Sequence, residues 1–246
     1  MIDNVGKKPT FRHELKYLFD YADAELLKSR IGGMLLPDEN IDGTGTYRIR
    51  SIYFDDYWDS AYEDKVNGFP SRNKYRLRVY NNNEKIIRLE RKTKQGSYIL
   101  KQSAVLAREN AERLLSGDYD FLLKDPQPLC QEFFCECRLK MMKPRVTIDY
   151  VRQPYIFAAG DVRITFDMDL QAVLLKFDLF DSTLPTISIL PPGQLLLEVK
   201  YTEFLPTFIQ RTLPQRSSQQ ASFSKYVLSC EKIMFLKAIE NYWYES

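Results

Sequence analysis

Charged and apolar residues alternate along four separate segments of this 246-residue chain, and this alternation constrains the fold more than any other feature. Side chains two residues apart lie on the same face of a β-strand. Each segment is therefore predicted to be a strand with one ionic face and one apolar face. The ionic faces carry Arg12, Glu14 and Lys16; Arg76 and Arg78; Arg88, Glu90 and Lys92; and Glu198 and Lys200. Arg91 interrupts the apolar face of the third segment.

The choice of charged residues on these faces favours an anion site. An ordinary sheet with one face in water would also alternate, and for a single segment that is the simpler interpretation. These segments, however, concentrate Arg and Glu, which suit bidentate phosphate contacts and metal coordination. Two guanidinium groups one strand repeat apart, as in Arg76 and Arg78, repel each other by a few kcal/mol at about 4 Å. Such a face needs carboxylates, a metal or a bound polyanion to offset the repulsion.

The charge balance and the apolar runs argue against two other classes of protein. With 35 basic and 33 acidic residues the net charge is +2, too small for nucleic-acid binding through bulk positive charge. The longest apolar runs, such as residues 187–197, are interrupted and fall far short of the roughly 20 residues of a membrane-spanning helix. The first ten residues are polar and lack the apolar stretch of a secretory signal, so we expect a cytoplasmic protein.

The cysteines and the histidine of this chain do not form the patterns of a metal site or a catalytic triad. Cys130, Cys135, Cys137 and Cys230 lack the paired spacing of zinc sites and are expected to be reduced structural thiols. His13 is the single histidine, which argues against a histidine-centred metal site or a Ser-His-Asp triad. Any metal would therefore have to bind to carboxylates.

Hydrophobic periodicity predicts a single α+β domain over residues 11–246, preceded by a flexible N-terminus at residues 1–10. Strands are predicted at 12–19, 47–55, 74–80, 86–94, 97–103, 145–152, 163–169 and 195–201. Helices are predicted at 21–36, 107–116, 129–142 and 223–244, with a short helix or turn within 57–67. Residues 81–83 and 95–96 are predicted hairpin turns, and residues 182–193 an irregular connection.

Seven short segments resemble those of a known family. They are Arg12–Tyr17, Ser51–Asp55, Lys74–Arg78, Leu89–Lys92, Arg163–Asp167, Leu197–Lys200 and Phe223–Tyr226. Together, in this order, they resemble the VTC domain, the polyphosphate polymerase module of the vacuolar transporter chaperone complex. That domain is a branch of the triphosphate tunnel metalloenzymes, the CYTH-like superfamily. The resemblance extends from about residue 11 to residue 240.

The resemblance implies an antiparallel eight-stranded β-barrel tunnel with helices packed outside. It also implies transfer of the γ-phosphate of ATP to a growing polyphosphate chain, without a covalent protein nucleophile. The implied catalytic residues are Lys16, Arg76, Arg78, Lys92 and Lys200. Further phosphate contacts are implied for Lys101, Arg145, Arg163 and Lys225. Glu198 would hold Mn²⁺ or Mg²⁺, with Glu14 and Glu90 as neighbours.

Two departures from the family pattern leave alternatives open. The hydrolytic relatives have glutamate where this chain has Arg12, and the polymerase has lysine where this chain has Ser222. There are therefore two alternatives to the polymerase. One is a non-catalytic module that binds polyphosphate or a nucleotide, and the other is a triphosphatase or cyclase. A barrel that binds single-stranded nucleic acid would place stacking aromatics on the charged faces, which carry few. ATP and inorganic polyphosphate or triphosphate are the expected partners, without sequence-specific nucleic acid. Which proteins bind this chain is left open by the sequence.

Several of these residues also have an ordinary structural interpretation. Lys225 could lie in the first turn of the last helix, after a Ser222 cap. Arg145 and Arg163 could be surface residues at strand starts. Glu198 could form only an ion pair with a facing cation, which is the commoner role of such a carboxylate.

Overall fold

The computed structural model describes residues 13–38, 41, 43–96, 98–213 and 223–244. The predictions for Arg12, Ser222 and residues 1–10 lie outside these residues. The strands are His13–Asp20 (β1), Leu36–Pro37 (β2), Tyr47–Asp55 (β3), Ser71–Tyr80 (β4), Asn83–Gln95 (β5), Tyr98–Leu106 (β6), Lys143–Phe157 (β7), Val162–Val173 (β8), Thr186–Ser188 (β9) and Gln194–Tyr201 (β10). The helices are Tyr21–Ile31 (α1), Ser60–Val66 (α2), Arg108–Leu115 (α3), Asp120–Lys124 (α4), Pro128–Lys140 (α5), Thr207–Thr212 (α6) and Lys225–Tyr244 (α7).

Eight strands form one continuous antiparallel sheet in the order β1-β10-β8-β7-β3-β4-β5-β6. The short strands β2 and β9 pair with β7 and β8, respectively. Within the described residues, the end strands β1 and β6 do not pair with each other, so the predicted closure into a hydrogen-bonded barrel is not shown. The sheet nevertheless curves strongly, since Lys92 Nζ on β5 lies 2.8 Å from Glu14 Oε2 on β1.

The predicted elements are mostly present, and the differences have local causes. The first helix ends at Ile31 instead of residue 36, because Gly32 and Gly33 follow and Leu36 pairs with β7. The predicted hairpins form, with the left-handed backbone at Asn81 (φ 50°) and Gly96 (φ 57°) that such turns need. The sequence did not predict α4, α6 or β9, which have five, six and three residues and are too short to show periodicity.

The apolar faces of the strands pack against helices and form the core. Leu77 and Leu89 belong to one buried cluster with α3, α4 and α5. Val199 belongs to a second with α1 and α6. A third cluster joins the start of α7 to β3 and β7, and it lies instead on the ionic side of the sheet, since its Leu196 shares a strand face with Glu198. Beside this cluster, the ionic faces of the strands line the concave side of the sheet. No helix in the described part of the chain is long and apolar enough to cross a membrane.

Candidate functional site

A cavity of about 610 Å³ lies on the ionic side of the curved sheet. Two described carboxylates, Glu14 and Glu198, line it. Eleven described lysines and arginines also line it: Lys16, Lys65, Arg72, Lys74, Arg76, Arg78, Lys92, Lys94, Arg152, Lys200 and Lys225. Because the positive side chains far outnumber the carboxylates, the cavity strongly attracts polyanions.

The structure brings most of the residues predicted from the sequence into this one cavity. Those that line it are Lys16, Arg76, Arg78, Lys92, Lys200, Lys225, Glu14 and Glu198. They come from β1, β4, β5, β10 and α7, elements that are far apart in the sequence. Four predicted residues do not line it: Glu90, Lys101, Arg145 and Arg163.

Glu14 and Glu198 are held among three lysines. Lys92 Nζ lies 2.8 Å from Glu14 Oε2, and Lys200 Nζ lies 3.0 Å from Glu198 Oε2. Lys16 Nζ lies between the two carboxylates, 3.7 Å from Glu14 Oε2 and 3.6 Å from Glu198 Oε1. Burial alone would raise the pKa of Glu198, but Lys200 and Lys16 hold that pKa well below its usual value. Glu198 is therefore an ionised carboxylate at neutral pH.

A buried ion pair supports the start of α7. Arg152 forms a bidentate pair with Asp167, with Nε to Oδ1 at 2.6 Å and Nη2 to Oδ2 at 2.7 Å. Lys225 Nζ lies 2.6 Å from the same Oδ2. Although burial acts in the opposite direction, Arg152 and Lys225 lower the pKa of Asp167 to about 2. Asp167 thus offsets the unfavourable position of a lysine at a helix N-terminus.

Arg76 and Arg78 share one buried carboxylate. Its negative charge offsets the repulsion that their spacing predicts between the two guanidinium groups. Glu90 is 1% exposed, with Oε2 lying 2.6 Å from Arg76 Nη2 and 3.6 Å from Arg78 Nη1. Lys101 Nζ lies 2.6 Å from Glu90 Oε1. Burial would raise the pKa of Glu90, yet Arg78 and Arg76 hold it well below its usual value. The structure gives Glu90 three cationic partners outside the cavity lining, and its place beside a metal at Glu198 stays a prediction.

Arg145 and Arg163 are outside the cavity lining, and each has its own counterion. Arg145 binds Asp59 at the start of α2, with Nε to Oδ1 at 2.7 Å and Nη2 to Oδ2 at 3.0 Å. Arg163 Nη2 lies 2.6 Å from Asp38 Oδ2 and donates to the Tyr47 hydroxyl at 2.9 Å. These two arginines and Lys101, which binds Glu90, lie outside the cavity lining, and their phosphate contacts stay predictions.

Lys74 is a cavity residue to which the sequence analysis assigned no role. Its Nζ donates to Ser224 Oγ at 2.9 Å and lies 5.0 Å from the ring centroid of Tyr226. Burial, together with the positive charges of Lys16 and Arg72, lowers the pKa of Lys74 to about 7. This part of the cavity is therefore rich in positive charge.

The family model of the VTC domain matches residues 11–234, most of the chain. The chain belongs to the VTC-domain family. This confirms the resemblance seen in the seven sequence segments. No curated protein matches this VTC-domain chain in sequence.

Solved structures resemble this VTC domain at low sequence identity. One is a protein from Bacillus halodurans for which adenylate cyclase activity has been suggested. It has 12% identity, a TM-score of 0.50, and coverage of 84% of this chain and 87% of that one. A protein from Pyrococcus horikoshii OT3 has 14% identity and a TM-score of 0.48, with coverage of 88% and 98%. Family membership and the cation-lined cavity together support a function that involves polyphosphate or triphosphate.

The described carboxylates of this VTC domain fit a metal site that phosphate and water complete, and not one enclosed by protein ligands alone. In the described part of the chain, no three His, Cys, Asp or Glu residues are grouped so that they could enclose a metal. Glu14 and Glu198, however, both line the cavity. Mg²⁺ bound with phosphate substrates typically uses one or two carboxylates and takes its other ligands from water and phosphate oxygens. The donor set fits a substrate-completed site of that kind.

Some cavity residues could have been found from the sequence and others could not. Arg72 and Lys74 continue the alternation of Arg76 on β4, and Lys94 continues that of Lys92 on β5. Extending the pattern by one or two repeats would have included them. By contrast, Arg152 has no second charged residue next along its strand face, and Lys65 lies on a short helix. Only the tertiary structure places these two in the cavity.

Proposed function

We propose that this VTC domain is a metal-dependent polyphosphate polymerase that transfers the γ-phosphate of ATP to a polyphosphate chain. The observation that supports the proposal most directly is the lining of the cavity, with eleven lysines and arginines against two carboxylates. Each hydrogen bond between such a cation and a phosphate oxygen contributes about 1.5–3 kcal/mol. A chain of phosphates can engage many of them at once, which a small monovalent anion cannot do.

The number of cations favours a chain over a single triphosphate. A triphosphate has only three phosphoryl groups, whereas the cationic lining continues from Lys16 and Lys200 to Lys65, Arg72 and Lys94. A longer polyanion would satisfy both ends of the cavity. This supports polyphosphate as product, with ATP as the donor.

Catalysis would come from positioning and charge neutralisation. Arg76 is fixed by Glu90 and by the Tyr53 hydroxyl, to which its Nη1 donates at 2.8 Å. Arg78 is fixed by Ser51 Oγ, which accepts from its Nε at 3.2 Å. Guanidinium groups held in place before substrate binds need little reorganisation as charge shifts between phosphate oxygens. In-line phosphoryl transfer needs no covalent protein nucleophile, and these arginines would orient the reacting phosphates.

Glu198 and Glu14 would hold Mn²⁺ or Mg²⁺, which when bound neutralises charge on the phosphate oxygens. Glu198 suits this role because Lys200 and Lys16 keep it ionised despite its burial. Glu14 lies on the neighbouring strand, and Lys200 Nζ contacts both carboxylates, at 3.6 Å and 3.0 Å. The two carboxylates are thus close enough to share one cationic partner.

Purified protein incubated with ATP and Mn²⁺ should form polyphosphate and release one ADP for each phosphate added to the chain. Glu198→Gln, which keeps the side-chain size but loses the charge, should raise the Mn²⁺ concentration needed for half-maximal synthesis. Gel detection of polyphosphate and a coupled ADP assay measure both results. Stabilisation by tripolyphosphate without any product would instead favour a binding module, and release of phosphate or cyclic AMP a hydrolase or cyclase.

Tripolyphosphate binding should weaken as pH rises, because Lys74 loses its proton. With a pKa of about 7 in the empty cavity, Lys74 is charged below that pH and neutral above it. A bound polyanion raises this pKa, so binding takes up a proton, and affinity should fall by about tenfold between about pH 6.5 and about pH 8.5. Isothermal titration calorimetry in buffers of different ionisation enthalpy measures both the affinity and the proton uptake.

Lys74→Arg is the matched variant for this measurement, because arginine keeps the positive charge throughout this range. Its affinity should change less with pH than that of the wild type. The ligand's own titration and that of Lys92, whose pKa is lowered by burial to about 8, are common to both proteins. Equal pH dependence in the two proteins would show that Lys74 does not contribute.

A further inference from the structure

The residues around the start of α7 contact the cavity through three different groups. The backbone oxygen of Phe223 accepts a hydrogen bond from Lys16 Nζ at 3.3 Å. Ser224 Oγ accepts from Lys74 Nζ at 2.9 Å. Lys225 Nζ reaches Asp167 at 2.6 Å and lies 4.8 Å from the ring centroid of Tyr150. The position of this segment therefore affects several side chains of the proposed site at once.

Tyr226, the next residue, anchors this segment to a buried carboxylate outside the cavity lining. Its hydroxyl donates to Asp55 Oδ2. Burial strongly raises the pKa of Tyr226, so the hydroxyl stays protonated and can act as the donor. The Tyr226 ring stacks on Tyr53 with centroids 5.4 Å apart, and Tyr53 in turn holds Arg76. The hydroxyl is engaged by Asp55, whereas the ring borders the cavity.

Asp55 also fixes the first turn of α2. It is 1% exposed, and its Oδ1 accepts the backbone N–H groups of Asp56 at 2.9 Å and Ala61 at 2.8 Å. Its Oδ2 accepts the N–H of Tyr62 at 3.1 Å as well as the Tyr226 hydroxyl. Helix α2 carries Lys65, which lines the cavity. One carboxylate therefore connects the two helices that bring Lys65 and Lys225 to the site.

We infer that Tyr226, through its hydrogen bond to Asp55, is a positioning residue of the polyphosphate site. The bond sets the start of α7 so that Lys225 and Ser224 meet their partners on the sheet. The inference rests on the proposed function, because it treats the cavity as the phosphate site. Tyr226 contributes no charge to the substrate and acts through Lys225.

Tyr226→Phe tests the inference, because it removes the hydroxyl and keeps the stacked ring. Asp55 itself is unsuitable, since its loss would also leave three backbone N–H groups of α2 and the preceding turn without an acceptor. Tyr226→Phe should bind tripolyphosphate about tenfold more weakly than the wild type. Without any ligand, amide hydrogen exchange at residues 226–229 should be faster, as expected for a loosened first turn of α7.

Tyr119→Phe is the matched control. The Tyr119 hydroxyl donates to the backbone oxygen of Met142 at 2.9 Å, in the cluster under α3, α4 and α5 on the other side of the sheet. The Tyr119→Phe change also removes a hydroxyl group from a partly buried tyrosine. The hydrogen bond that is lost, however, does not involve α7 or Asp55. Affinity for tripolyphosphate and hydrogen exchange at residues 226–229 should match those of the wild type.

A double-mutant cycle with Lys225→Ala shows whether the hydroxyl acts through Lys225. Tyr226→Phe should weaken tripolyphosphate binding at least threefold less in the Lys225→Ala background than in the wild type. Equal losses in both backgrounds, or wild-type affinity in Tyr226→Phe, would overturn the inference while leaving the proposed function intact. Wild-type protein that fails to bind tripolyphosphate would overturn the proposed function, and this inference with it.

Discussion

Arg76→Ala should lower the rate of polyphosphate synthesis by about a hundredfold or more while the protein stays folded. Arg76 lines the cavity and is held in place by Glu90 and Tyr53. Its removal would cost about two charge-assisted hydrogen bonds to phosphate, each worth roughly 1.5 kcal/mol or more in the transition state. The fold should tolerate the change, because Arg78 and Lys101 remain beside Glu90. Initial rates with ATP and Mn²⁺, with circular dichroism as the check of folding, measure both expectations.

Arg91→Ala provides a close control on the opposite side of the same sheet. Arg91 Nη1 donates to the Tyr75 hydroxyl at 3.1 Å, and its Nη2 lies 2.6 Å from Glu132 Oε2 on α5. Both arginines therefore bind one tyrosine hydroxyl and one glutamate, but only Arg76 lines the cavity. Arg91→Ala should keep the wild-type rate. Similar losses in the two variants would mean that the effect comes from the sheet and not from phosphate contacts.

Arg91 also illustrates what the alternation in the sequence could and could not predict. The period of two correctly separated the ionic side of β5, with Glu90 and Lys92, from its apolar side, with Leu89. Arg91 interrupts that pattern, and the alternation alone could not explain why. Its partner Glu132 lies on α5, which is distant in the sequence. Strand periodicity reports which side of a sheet a residue lies on, but not which charged group from elsewhere covers it.

The same limit explains which predicted residues reached the cavity. Arg145 and Arg163 lie on strands as predicted, but they bind Asp59 and Asp38 from distant loops and do not line the cavity. Lys65 reaches the cavity because Asp55 fixes the helix that carries it. Whether the sheet closes could not be predicted from strand patterns either. Closure depends on whether the two end strands come within hydrogen-bonding distance of each other, which the pattern of neither strand determines.

Glu90→Gln should destabilise the protein by about 3–5 kcal/mol, because it leaves Arg76, Arg78 and Lys101 without their shared carboxylate. A neutral amide cannot offset three converging cations in a buried site. Urea denaturation at neutral pH measures the free energy of unfolding. Glu132→Gln is the matched variant on the outer side of the sheet. The Glu132 side chain is 44% exposed, so the loss of its pair with Arg91 should cost only about 0–1 kcal/mol.

Two further measurements separate this role of Glu90 from metal binding. Because its pKa is held well below the usual value, the stability that Glu90 contributes is present above its ordinary pKa and is lost as pH falls towards the lower folded value. The Glu90→Gln variant should lack this part of the acid sensitivity. Tripolyphosphate should stabilise the variant more than the wild type, since the anion supplies the missing negative charge. A metal ligand predicts the reverse: wild-type stability, an increased Mn²⁺ requirement and no additional rescue by the anion. The arrangement of three cations around Glu90 favours the first outcome.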